Sequence, residues 1–325
     1  EEKMTYDSLL LNCGGGVIGT SQKSRQFGGA ALCIGIGGTG VAALAELKRK
    51  VYQQLEPDDP NDPIPQYKHI QFLAIDSDKT DIEKMRGTGK LDAKTDFFSI
   101  HMPNLSAVLD NREKIKDNPV MIWMEIDNIK KLLSPHGAGG IRQVGRFLLL
   151  SQAAALKMKI NAKCTLALKD ANPHLDVYIF AGISGGTGSG CFIDTCYIVR
   201  KTLEEMGLAG NGNIMGFFFL PDVVTSKPEV AANSVSCEYN NSNGYAAMKE
   251  LDYLMNLAEE EDRFHQFYGS FTIDTQSPPV DLCHLLSAQK ADGSIIENGF
   301  GYCINVAADY VTAYLAEVAV GSDDN

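Results

Sequence analysis

No stretch of this sequence is long and apolar enough to span a membrane, and nothing at its start resembles a signal peptide. It has no sustained run of Lys or Arg. The 29 basic residues are outnumbered by 41 acidic ones, and the net charge is −12. That balance argues against nucleic acid as a main partner. It leaves a phosphate ligand open, because backbone amides bind phosphate without a basic surface. The eight cysteines include no Cys-x-x-Cys pair, and the six histidines fall at no metal-ligand spacing, so a zinc centre is not expected. Most of the cysteines sit in apolar segments, where a free thiol behaves as a small hydrophobe, and a reducing cytoplasm is the natural setting. No Met opens the chain, and the start at Glu1 points to trimming.

What remains is an ordinary globular composition, 44% hydrophobic and 22% charged over 325 residues, with 31 glycines. Two glycine-rich loops stand out. One is Gly35-Ile36-Gly37-Gly38-Thr39-Gly40, and the other is Ser184-Gly185-Gly186-Thr187-Gly188-Ser189-Gly190. Each follows an apolar run that reads as a buried strand and opens a stretch with helical periodicity. In that position backbone N–H groups can wrap an anion at a helix N-terminus. A third loop, Gly137-Ala138-Gly139-Gly140, precedes another helical stretch.

The apolar runs Ala31 to Ile36, Ile70 to Ile75, Val177 to Ala181, Ile214 to Leu220 and Asp281 to Ser287 read as strands. Helices are expected after Gly40 (with Val41, Leu44, Leu47, Val51 and Leu55 on one face), over 120–133, 141–159, 243–257 and 300–318, and after the second glycine loop. Lys48, Arg49 and Lys50 read as a solvated helix face. Residues 1–29 read as a loose extension with one short strand at Leu9-Leu10-Leu11, and 56–65 as a surface loop. Short, nearly continuous apolar strands alternating with helices imply an α/β fold: a Rossmann-like parallel sheet with helices on both faces. Ligands in such sheets bind at the carboxyl ends of the strands, where all three glycine loops fall.

Gly35 to Gly40 fits the dinucleotide pattern G-x-G-x-x-G. The acid that pattern needs about 20 residues on is instead Asp76, 36 residues beyond Gly40. No Gly-Lys-Ser/Thr follows either loop, so neither is a Walker P-loop. Gly185 to Gly190 resembles the signature loop G-G-G-T-G-S/T-G of the tubulin and bacterial cell-division tubulin (FtsZ-like) superfamily of GTPases. Ser184 stands where that family usually has its first glycine. Ile34 to Gly40 resembles the family's opening phosphate loop. Ala74-Ile75-Asp76-Ser77-Asp78 resembles the second loop, where an acid lies near the phosphates and metal. Gly137 to Gly140 with Gly145-Arg146 resembles the third, which surrounds the terminal phosphate. The four motifs occur in the family's order and cover roughly residues 30 to 320; the most similar group is the divergent bacterial tubulin-like proteins.

The resemblance implies a nucleotide-binding domain over 31–298, preceded by an extension at 1–30 and followed by a central helix and truncated C-terminus at 299–325. It implies GTP or GDP with Mg²⁺ as cofactors, a cytoplasmic setting, and self-association as a protofilament in the full-length protein. The phosphates would lie on Gly37, Gly38, Thr39, Gly40, Ala138, Gly139, Gly140, Gly185, Gly186, Thr187, Gly188 and Ser189. Asp76 and Asp78 would hold the metal through water. Asp222 would meet the ribose, and Phe300 and Asn305 the base. Guanine over adenine rests on the resemblance alone. The family's catalytic acid loop is not found. Asp309, in Ile304 to Asp309, echoes it faintly, so hydrolysis is expected to need a neighbouring subunit or further sequence. The rival readings are a non-polymerising nucleotide-binding scaffold and an NAD-dependent oxidoreductase. Val in place of Gly186 or Gly188 is expected to abolish nucleotide binding and leave the fold intact.

Overall fold

Among the described residues six strands form one parallel sheet, in the order β3 (Phe97–Ser99), β2 (Ile70–Asp76), β1 (Ala30–Ile36), β4 (Leu175–Gly182), β5 (Ile214–Phe219) and β8 (Leu282–Leu286). The computed structural model describes residues 29–54, 68–78, 91–92, 94–122, 124–130, 133, 137–169 and 173–320. The expected strand at Leu9-Leu10-Leu11, Leu55 and the loop at 56–65 lie outside them. At the centre are β1 and β4, buried along their whole lengths. A two-stranded antiparallel ribbon, β6 (Phe264–Phe267) with β7 (Thr272–Thr275), stands apart from the sheet.

Successive side chains of a strand point to opposite faces, so each central strand feeds two cores. Leu32, Ile34 and Ile36 pack on one side with Val144, Phe147 and Leu148 of α2 (Arg142–Leu150), Leu156 and Ile160 of α3 (Ala153–Ala167), and Ile198 of α4 (Thr187–Glu205). Ala247 and Leu251 of α5 (Ser234–Met255) join the same core. Ala31 and Cys33 pack on the other side with Val41, Leu44 and Leu47 of α1 (Gly37–Gln54) and Ala307, Ala308 and Val311 of α6 (Gly299–Val320). This is the Rossmann-like sheet covered on both faces that the sequence implies. Among the described residues no helix is long and apolar enough to cross a membrane.

Several local expectations are corrected. The helix expected over 141–159 is two, because Gln152 takes a non-helical backbone (φ −128°, ψ 14°) and the Ser151 hydroxyl bonds back to the Phe147 carbonyl at 2.7 Å. Among the described residues of 120–133 there is no single helix: a 3₁₀ turn (Pro119–Ile122) is followed by a short helix (Ile126–Ile129), and Glu125 at its start has non-helical φ and ψ of −82° and 79°. The helix expected from 243 begins nine residues earlier, at Ser234. Lys48 is not on a solvated face. It is buried, bonded to Asp96 at 2.5 Å and set near the faces of Tyr52 and Phe72.

Candidate functional site

The strand order reverses between β1 and β4, which is where doubly wound sheets leave a crevice. A cavity of about 270 Å³ lies there. It is lined by Gly37, Gly38 and Thr39 after β1, by Asp76, Ser77 and Asp78 after β2, by Ala138, Gly139 and Gly140 before α2, and by Gly185 to Gly188 after β4. Four segments far apart in sequence therefore meet at one sheet edge. α1 begins at Gly37 and α4 at Thr187, so two helix N-termini border the cavity, with backbone N–H groups that no earlier turn can engage.

The glycines do two different jobs. Gly37, Gly139 and Gly140 have φ of +68°, +60° and +83°, a left-handed backbone that favours glycine. Gly186 and Gly188 are packing glycines. A Cβ on Gly186 would lie 2.8 Å from both the Ala138 Cβ and the Ile141 nitrogen, and one on Gly188 would lie 2.3 Å from the Gly182 carbonyl oxygen. Valine at either position would therefore disturb the fold, contrary to the expectation from sequence. At Gly185 an added Cβ meets nothing within 4 Å. Gly40 lies off the cavity, close against the Phe180 carbonyl, and Ser189 turns away from it to bond the Arg142 guanidinium at 2.6 Å.

Side chains tie the loops together. The buried Ser77 hydroxyl shares a 2.6 Å hydrogen bond with the Thr187 hydroxyl and accepts the Ala138 N–H at 3.0 Å, so one oxygen links three segments of the lining. Asn243 on α5 donates both amide hydrogens, to the carbonyls of Gly140 and Ser184, each at 2.8 Å. Sequence reasoning gave neither residue a role. A serine between two acids carries no distinguishing signal, and the expected helix begins at Asn243, which sets that residue at a helix end rather than mid-helix.

The charge at the site is small. Asp76 is buried, and its Oδ1 accepts the N–H groups of Ser77 (2.7 Å) and Asp78 (3.3 Å). Among the described residues Lys227, just before a short helix (Pro228–Ala231), is the cation that lines the cavity, and its ammonium sits 3.5 Å from the centre of the Phe300 ring. Sequence reasoning passed over it.

Other expected residues are placed elsewhere. Arg146 lies one cavity away, with Nε bonded to Asp194 at 2.7 Å; Asp194 also accepts the Tyr268 hydroxyl at 2.7 Å. Burial and the neighbouring Asp194 carboxylate push the Tyr268 hydroxyl well above its ordinary pKa. Asp222 does not line the first cavity. Its Oδ2 accepts the Ser287 hydroxyl (2.8 Å), the Gln289 N–H (3.1 Å) and the Ala288 N–H, which fastens the segment after β8. Phe300 reaches the site only through Lys227, and Asn305 donates to the Gly301 carbonyl of its own helix at 2.9 Å. Asp309 is also off the cavity, paired with Lys50 of α1 at 2.5 Å.

A family model described as "Tubulin like" matches residues 32–323. A comparison with curated proteins found no match. Three solved structures are similar in arrangement. CetZ from Methanosaeta thermophila strain DSM 6194 has 14% identity and a TM-score of 0.48, over 88% of this chain and 54% of that one. A GTPγS-bound protofilament of CetZ2 from Haloferax volcanii has 15% and 0.46, over 90% and 60%. An empty FtsZ dimer from M. jannaschii has 15% and 0.45, over 88% and 54%. The chain therefore spans between 54% and 60% of the length of these structures.

Proposed function

The chain belongs to the "Tubulin like" family, and from that premise we propose that it binds a guanine nucleotide, GTP or GDP with Mg²⁺, in the cavity between β1 and β4. The observation that carries this reading is the convergence of four chain segments, three of them glycine loops, on one cavity at the point where strand order reverses. A phosphate chain there would take backbone N–H groups from Gly37 to Thr39, from Gly139 and Gly140, and from Gly185 to Gly188, together with two helix N-termini; the Ala138 N–H is already given to the Ser77 hydroxyl. Lys227, on the cavity's lining, supplies a positive charge beside them.

The donor set also fits Mg²⁺. Among the described residues no cluster of three or more His, Cys, Asp or Glu could hold a metal by itself, while Asp76 and Asp78 offer hard oxygens at the cavity wall. One or two carboxylates plus phosphate oxygens and water is how Mg²⁺ is commonly held. When bound, the ion would neutralise charge on the phosphates. Asp76, fixed by the N–H groups of Ser77 and Asp78, would orient its waters. Among the described residues the cavity lining offers no acid beyond Asp76 and Asp78 to orient an attacking water, so hydrolysis by this chain alone is proposed to be slow. Self-association as a protofilament in a longer protein, in the cytoplasm, completes the proposal.

Titration calorimetry with GTP, GDP, ATP and NAD tests it. Heats are expected for the two guanine nucleotides and none for NAD. Because a hydrogen bond to a charged group is worth about 1.5–3 kcal/mol, Lys227→Ala is expected to weaken GTP binding at least tenfold. It should also flatten the dependence on salt. Equal affinity for ATP and GTP would remove guanine selectivity from the proposal. Absence of binding to any nucleotide would sink it.

A further inference from the structure

Asn243 lies in the middle of α5, outside every loop that lines the cavity, yet it touches two of them. One nitrogen donates to the carbonyl oxygens of Gly140 and Ser184. Two carbonyl acceptors fix the amide orientation, since only NH₂ can serve both. These residues stand 103 and 59 positions from Asn243, so the contact is made only by the fold; Ser77 joins the same two loops at their other end, through Ala138 and Thr187. The approach of α5 that permits it depends on Gly244, where a Cβ would lie 2.2 Å from the Pro221 ring. A polar segment with a glycine at its centre is a poor helix by propensity. Its start is capped by Asn233, whose side chain accepts the Ser236 N–H at 3.0 Å.

Resting on the nucleotide reading above, we propose that Asn243 is a positioning residue that sets the aperture between the Gly137–Gly140 loop and the Ser184–Gly188 loop, and through it the length of phosphate chain that the cavity prefers. The carbonyls it holds belong to the same backbone whose N–H groups face the ligand. When a carbonyl is pinned, the flanking peptide planes, and hence the donors on them, are pinned with it. A ligand long enough to touch both loops depends on their separation. A shorter one that rests on a single loop does not.

The test compares the wild-type chain with Asn243→Ala, which removes both donors, and Asn243→Asp, which sets a carboxylate against two carbonyl oxygens. Amide hydrogen exchange without nucleotide is the first readout. Both variants should exchange faster at 137–140 and at 183–186, with 35–40 unchanged. Affinities for GTPγS and GDP are the second. Loss of two hydrogen bonds should lower the GTPγS-to-GDP affinity ratio about tenfold, more for Asp than for Ala. A folded variant with unchanged exchange at both loops overturns the inference whatever the nucleotide does. Equal losses for GTPγS and GDP also overturn it, since they would mark a merely structural role. A wild-type chain that binds neither nucleotide overturns the underlying reading and the phosphate-length assignment with it. Altered exchange would in that case show that the clamp exists without that purpose.

Discussion

At Gly185 an added Cβ has open space around it, whereas at Gly188 it would lie 2.3 Å from a backbone carbonyl oxygen. One glycine loop therefore contains positions where a side chain would harm the fold and a position where it would project into the cavity. Overpacking typically costs about 1–3 kcal/mol, so Gly188→Val should lower the melting temperature by several degrees and weaken any ligand through the fold. Gly185→Ala should stay within about 0.5 kcal/mol of the parent, as a side chain in open space does, yet lower GTP affinity about tenfold. Thermal melts beside titrations separate the two. A Gly185→Ala chain that binds GTP like the parent would mean that the phosphates do not pass this loop. The glycine motifs were legible in sequence because they recur after apolar strands. Which glycines pack and which face space was not, because that depends on what the Gly137–Gly140 loop and α2 bring against them. Ser77 and Asn243 were invisible for the same reason: their partners lie 59 to 110 residues away.

Between whole elements, one buried charge cluster fastens the segment before β3 to α1 and α3. Asp96 accepts Lys48 of α1 at 2.5 Å and Lys163 of α3 at 3.1 Å, and all three are buried. Burial by itself would push the Asp96 carboxyl up, but the bonded Lys48 ammonium, a backbone hydrogen bond at Asp92 and the Lys163 charge together outweigh it and hold the carboxyl below its ordinary value. Burial pushes Lys163 down. The folded carboxyl is thus the stronger acid, so its contribution is fully present above the unfolded value near pH 4 and is lost as pH falls through the folded one. Asp96→Ala leaves two buried ammonium groups unpaired and should cost about 3–5 kcal/mol. Lys163→Met keeps the Lys48 pair and should cost less than about 1.5 kcal/mol. Urea unfolding at pH 7 and pH 3 checks both; equal costs for the two variants would show that the cluster does not turn on its single carboxylate. Element identity followed sequence closely where periodicity was strong, as in β1, β4, α1 and α4. It failed at α5, whose first nine residues carry no apolar periodicity and stay exposed or half-buried, and whose start is capped by the Asn233 side chain accepting the Ser236 N–H. It failed too at Lys48, where a cluster of three basic residues hid one whose carboxylate lies 48 residues on.

The molecule as a whole brings four chain segments to one cavity, and among the described residues the acids that line it are Asp76 and Asp78, which stand on the wall proposed for the metal. Asp309 is held by Lys50 on the face of the sheet covered by α1 and α6, and its carboxylate is largely exposed. In phosphoryl transfer a group that stabilises the transition state is worth on the order of 10³–10⁵ in rate. A site that grips a triphosphate without a water-orienting acid should therefore bind and scarcely turn over. We predict that the 325-residue chain releases phosphate from GTP slowly, in strict proportion to its concentration. Asp309→Ala should leave that rate unchanged and cost no more than about 1 kcal/mol of stability, the usual worth of an exposed ion pair. Phosphate release over a concentration series, with the variant beside the parent, decides the matter. A rate that rises faster than concentration would mean that one copy completes the site of another. If Asp309→Ala then abolished that rise, the acid would be one whose present partner, Lys50, must release it on assembly. If the rise persisted in the variant, the missing acid would lie elsewhere on the surface that one copy presents to the next.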